Sequence, residues 1–142
     1  MQGRSAIEIV QRFWDEVWHA PQNPDAIDAL VHPDFAITSG GHEIRSREAF
    51  KRWVFDFQSR IADLRFEVLD IFQSEDGSRV ATRWRVTGRN NGLLGTEPDG
   101  RPFVMVGNAI VAVGEDGLLR HNWVDRNAYE VHGHLTGHRR IV

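Results

Sequence analysis

The chain has 142 residues, 41% of them hydrophobic and 26% charged, which is the length and composition of one globular domain able to bury a core. Its net charge of -3 offers no basic surface for nucleic acid, and its lack of Cys excludes disulfides and thiolate metal sites. No apolar run approaches the roughly 20 residues that a membrane helix needs.

Met1 to Arg4 is polar and runs directly into an amphipathic segment, so no secretory leader is expected and the expected location is cytoplasmic. Ser5 and Glu8 form a capping-box pattern, and Ile7, Val10, Trp14, Val17 and Trp18 recur at helical spacing, predicting a helix from Ser5 to about Ala20. Asn23-Pro24-Asp25 predicts a second helix start, with Ile27, Leu30 and Val31 as its apolar face and Pro33 as its stop. Phe35 to Thr38 reads as a short strand, Gly40-Gly41 as a turn and Glu43 to Arg45 as the return of a small hairpin. Ser46 caps a third helix with a stripe of Phe50, Trp53, Val54, Phe57 and Ile61.

From there the period changes to two. Strands are predicted over Leu64 to Phe72, Arg79 to Gly88, Phe103 to Val113 and Leu118 to Asn127. In the second of these, Val80, Thr82, Trp84 and Val86 share one face, and Arg83 and Arg85 the other. Arg89 to Arg101 is a long glycine-rich loop, Asn127 to Leu135 a closing helical turn, and 138–142 a loose tail. Helices followed by consecutive strands predict a single α+β domain over 1–142, a curved antiparallel sheet folded into a cone over three N-terminal helices.

The last strand draws the functional reading. One face carries His121, Trp123, Asp125 and Asn127, and the other Arg120, Asn122, Val124 and Arg126. An indole among polar groups points to the first face lining a pocket. Asp125 is then the expected acid or base, its pKa raised by lost solvation; the structural alternative is a salt bridge to Arg126 or Arg85. His121 would pair with Asp125, or hydrogen-bond a loop carbonyl instead. Asn108 interrupts an apolar strand and would hold a ligand carbonyl or pair with Asp125. Asp70 is a reserve carboxylate. Trp14, Trp18, Trp53, Trp84, Trp123, Phe35, Phe50 and Phe57 supply an aromatic wall for a flat ligand, or core packing. His132, His134 and His138 are spaced too loosely for a metal site, and none is expected. The loop glycines match no phosphate-binding pattern.

The run from Trp84 to Arg101, with Gly88, Gly92, Gly95, Pro98 and Gly100, followed by an apolar strand and then Asp116 to Trp123, resembles the SnoaL-like branch of the nuclear transport factor 2-like (NTF2-like) superfamily, which includes polyketide cyclases. The resemblance covers nearly the whole chain. It implies an NTF2-like cone-shaped barrel, a deep pocket, no metal or organic cofactor, and a homodimer through the outer sheet face. Two positions depart from the cyclase pattern. Asn90 stands where a His is frequent, and Asn127 takes about the place of the acidic residue, with Asp125 two positions earlier.

The function expected from these readings is a cofactor-independent acid-base enzyme of cyclase, isomerase or dehydratase type. Its substrate would be a hydrophobic, carbonyl-containing, polyketide- or steroid-like small molecule, with Asp125 moving the proton, His121 paired to it and Asn108 or a water holding the oxygen. Two alternatives stand beside it. One is a non-catalytic small-molecule-binding module with Asn127 and the Trp residues around the ligand. The other is an interaction domain that dimerises through the face bearing Arg83 and Arg85, its pocket filled by its own side chains.

Overall fold

The computed structural model describes residues 5–137, so His138 and the remainder of the tail lie outside the described residues. Helix α1 (Ala6–Phe13) starts where the capping box places it. The Ser5 hydroxyl accepts from the Glu8 amide at 3.2 Å, and the Glu8 carboxylate accepts from the Ser5 amide at 3.0 Å. It runs on as a π-helical turn, Trp14–Trp18, in which Trp14, Val17 and Trp18 are all buried. Asn23 caps a 3-10 turn that leads into the short helix α2 (Ile27–Leu30).

Strand β1 (Val31–Ser39) begins earlier than the Pro33 stop suggested. Then come β2 (His42–Arg45) and α3 (Arg47–Ser59), with the Ser46 hydroxyl accepting from the Ala49 amide. Helix α3 ends before Ile61, which was expected on its stripe but opens β3 (Ile61–Gln73). Strands β4 (Arg79–Asn90), β5 (Pro102–Val113) and β6 (Leu119–Arg126) follow, and α4 (Ala128–Leu135) closes the fold.

The six strands form one curved, open sheet in the order β2-β1-β6-β5-β4-β3. All neighbours are antiparallel except β1 and β6, which pair in parallel, a correction to the wholly antiparallel expectation. That pairing puts the end of the chain beside its first strand and wraps the sheet around α1 and α3.

The layer between helices and sheet is aromatic. Trp14 stacks on Phe66 with centroids 5.0 Å apart, Phe66 continues to Trp84 at 6.2 Å, and Trp53 stacks on Phe57 at 5.4 Å. The Trp14 indole N–H donates to Thr82 at 3.1 Å, so the buried ring leaves no polar atom without a partner. Asn90, the departure noted in the loop, is a fastener. Its amide group donates to Thr96, the Glu97 carbonyl and Asp99, and its oxygen accepts from the Gly92 and Leu93 amides. The glycine-rich loop is therefore tied down at its own root.

One glycine is demanded by close approach. Gly107 sits on the inner row Val68-Trp84-Gly107-Arg126. A Cβ there would lie 2.7 Å from the Asp125 carbonyl oxygen and closer still to the Trp84 ring. The indole lies across β5 because nothing projects from it at this point. Gly107→Ala should cost about 1–3 kcal/mol through overpacking; thermal denaturation reads the loss, and an unchanged Tm would show that Trp84 has room to move.

Candidate functional site

The facing of β6 is decided by its neighbours. Asn122 is paired with Val111 and Ile37, and Val124 with Ala109, all of them buried residues under the helices. A β-bulge at the Ala112/Val113 pairing takes up Arg120, so that Leu119 and Asn122 both turn inward although three positions apart. The inner face therefore carries Asn122, Val124 and Arg126, and His121, Trp123 and Asp125 are on the outer one.

This corrects the expected site geometry. Asp125 is exposed and lies opposite Asn108, which is exposed too. Trp123 is 39% exposed. His121 stacks on Trp123 with centroids 4.0 Å apart, and its Nε2 lies 2.8 Å from the Thr38 hydroxyl and 3.9 Å from Glu43. Burial pushes the His121 imidazole below its ordinary range, Glu43 opposes this, and Arg45 and Arg79 add to it. Asp70 is also outside, ion-paired to Arg83 at 2.8 Å. The Asn127 side chain accepts from the Val106 amide at 2.9 Å and joins α4 to the sheet. Phe35 is buried against Phe50 at 4.6 Å as core. Among the described residues no cluster of His, Asp or Glu could hold a metal ion.

The aromatic part of the expectation coincides with a real cavity. Trp14, Trp18, Trp53, Trp84 and Phe57 line an internal pocket with Phe13, Phe50, Phe66, Ile37, Val86 and Val124. Its polar lining residues are Asn122 and Arg126, the two that the sequence reading placed on the opposite face. The signal for them was Val124 between them, an aliphatic residue in the polar half of the strand; the indole of Trp123 outweighed it.

As packed, the cavity holds about 40 Å³. A cavity that admits benzene is several times larger, about 150 Å³, so a ring enters only when a wall residue moves. Trp53 and Arg126 are the lining residues that are not fully buried. Trp53 is half-buried at the wide end, where the Arg126 guanidinium lies 5.6 Å from its ring centroid and 5.2 Å from that of Phe57. A second hollow of about 570 Å³ lies between α4 and β4–β5, lined by Thr87, Phe103, Val104, Glu130 and His134 among others.

The two polar residues are under-satisfied. Asn122 is 6% exposed, and its side-chain oxygen has no hydrogen-bond partner among the described residues. The hydrogen bond that Arg126 makes is to the Met105 sulfur at 3.8 Å. Loss of hydration lowers the Arg126 pKa, yet a guanidinium stays charged. An unpartnered buried amide oxygen costs about 1–3 kcal/mol. Asn122→Leu, which keeps the branching and heavy-atom count, should therefore raise Tm by about 3 °C or more; a lowered Tm would mean that the amide has a stabilising partner or that the larger methyl groups do not fit.

The SnoaL-like domain family model matches residues 10–122, most of the chain. No protein of curated function matches it. Among solved structures, a provisionally named SnoaL-like polyketide cyclase from Jannaschia sp. CCS1 superposes with a TM-score of 0.84 at 19% identity, covering 98% of this chain and 100% of that one. A provisionally named polyketide cyclase from Acidithiobacillus ferrooxidans gives 0.79 at 21%, with 98% and 100% covered. IdmH from Streptomyces antibioticus, also provisionally named a polyketide cyclase, gives 0.77 at 22%, with 94% and 99% covered. At these identities the likeness establishes the fold. Arg126 lies beyond the matched segment.

Proposed function

The chain belongs to the SnoaL-like domain family, and we propose that its cone binds a flat, hydrophobic, carbonyl-bearing small molecule of aromatic or polycyclic type without Asp125-driven chemistry. Family membership supports a cyclase-type or NTF2-like small-molecule role. One observation favours binding within that range: among the described residues, the pocket lining carries no carboxylate and no imidazole, only an amide and a guanidinium among aromatic rings. A cation and an amide can hold and polarise a carbonyl oxygen, but neither group takes up a proton at neutral pH.

Trp53 opens the entrance, and the ligand plane lies against Trp14, Trp84 and Phe66. Titration of intrinsic Trp fluorescence with a panel of polycyclic ketones tests this. Saturable quenching is expected in the wild type, weakened about tenfold or more in Phe66→Ala and unchanged in Asp125→Asn. Turnover that disappears in Asp125→Asn would restore the acid-base account and remove this one.

A second reading, an interaction domain whose pocket is filled by its own side chains, is favoured by the 40 Å³ volume. The outer face has the surface for it. The row Trp123-Ile110-Ala81-Phe72 crosses four strands, with Ile110 48% and Phe72 63% exposed. The flanking Arg83 and Arg85 are already ion-paired to Asp70 and Glu67. A homodimer through this row is the proposed assembly; Ile110→Lys should shift the sedimentation profile from dimer to monomer, and a wild type that sediments as a monomer would exclude it.

A further inference from the structure

The cavity has two chemically different ends. Asn122 lies on the inner row Ile37-Asn122-Val111-Val80, among residues that are at most 6% exposed. Arg126 lies four residues further along the same strand, about 13 Å away along the backbone, on the row with Trp84 and Gly107 at the half-open end. Val124 between them is apolar, and beside Arg126 the Trp84 indole lies across Gly107.

At the deep end an amide oxygen lacks a donor. At the entrance a cation rests on two ring faces, and among the described residues its hydrogen bond goes to a thioether. No described carboxylate lies within ion-pair distance of it. A hydroxyl would satisfy Asn122, and an anionic oxygen pair would satisfy the guanidinium in bidentate fashion.

Building on the proposed binding role of this pocket, we infer that its ligand is a flat aromatic acid with two heads, a hydroxyl donated to Asn122 at the bottom and a carboxylate, or a phenolate or enolate of the same charge, held by Arg126 at the mouth. The anion also opens the site. Pairing with it draws the guanidinium off Trp53 and Phe57, and that frees the indole to give way. A neutral hydrocarbon of the same shape would have to displace Trp53 without that help. The carboxylate and phenolate sources share one chemistry, and the probes below separate them.

The test uses 6-hydroxy-2-naphthoate, 2-naphthoate, 2-naphthol and naphthalene, titrated into the full chain by calorimetry at neutral pH. The two-headed probe is expected to bind about tenfold or more tighter than either single-headed one, and naphthalene most weakly. Arg126→Met should lose that factor for both acids and should not weaken 2-naphthol at neutral pH. Asn122→Leu should lose it for both hydroxyl compounds and leave 2-naphthoate unchanged. If 2-naphthol outbinds 2-naphthoate in a manner that rises with pH through the phenol pKa, the anionic head is a phenolate. Equal affinity for all four probes in the wild type overturns the two-headed ligand while leaving an aromatic pocket standing. Failure of all four, naphthalene included, removes the pocket reading itself. The wild-type series decides between these even if a variant does not fold.

Discussion

The orientation of one strand controls everything that can be said about chemistry in this molecule. Strand β6 is bordered on one side by β5, whose Ala109 and Val111 are buried, and on the other by β1, whose Ile37 is buried. Side chains alternate, so whichever residues lie level with those three must go under the helices. That makes Asn122 and Val124 interior and carries Arg126 in with them. The same rule sends Asp125 into solvent two atoms of backbone away from a pocket it cannot reach. Moving Asp125 inward would require a one-residue slip along eight residues of β6 and would expose Val124.

What surrounds that strand is a basket of rings. Phe13, Trp14 and Trp18 come from the first helical run, Phe50, Trp53 and Phe57 from α3, Phe66 and Trp84 from the sheet. Trp14 and Trp18, four residues apart and so on one helical face, bring two indoles of the first run inward. The packing is tight enough that the hollow is nearly closed, and its lining residues that are not fully buried are Trp53 and Arg126, whose guanidinium lies over the Trp53 ring.

Much of the architecture was legible in the sequence because the elements carry strong periodicity: the capping box, the α3 stripe up to Phe57, the inward set Val80, Thr82, Trp84, Val86, and the closing helix after Asn127. The aromatic wall was legible for the same reason. The polar part of the site was not. Period two gives the two faces of β6 but not which of them is inside, and the choice rests on the register with β1 and β5, which no single-strand pattern contains. A Trp was read as a sign of burial, but Trp123 is accommodated outside by stacking on His121 with the Arg79 guanidinium 5.4 Å from its ring. Asn90 and Asn127 looked like positions vacated by catalytic groups. In the fold both are hydrogen-bonding fasteners, one for a loop and one for α4.

The most direct examination of this account is solution NMR of the chain saturated with 6-hydroxy-2-naphthoate, reading intermolecular NOEs from the ring protons of the ligand. Contacts to the Val124 methyls, the Asn122 amide and the Phe66 ring are expected. Contacts to the His121 and Trp123 rings instead, with none to Val124, would contradict it.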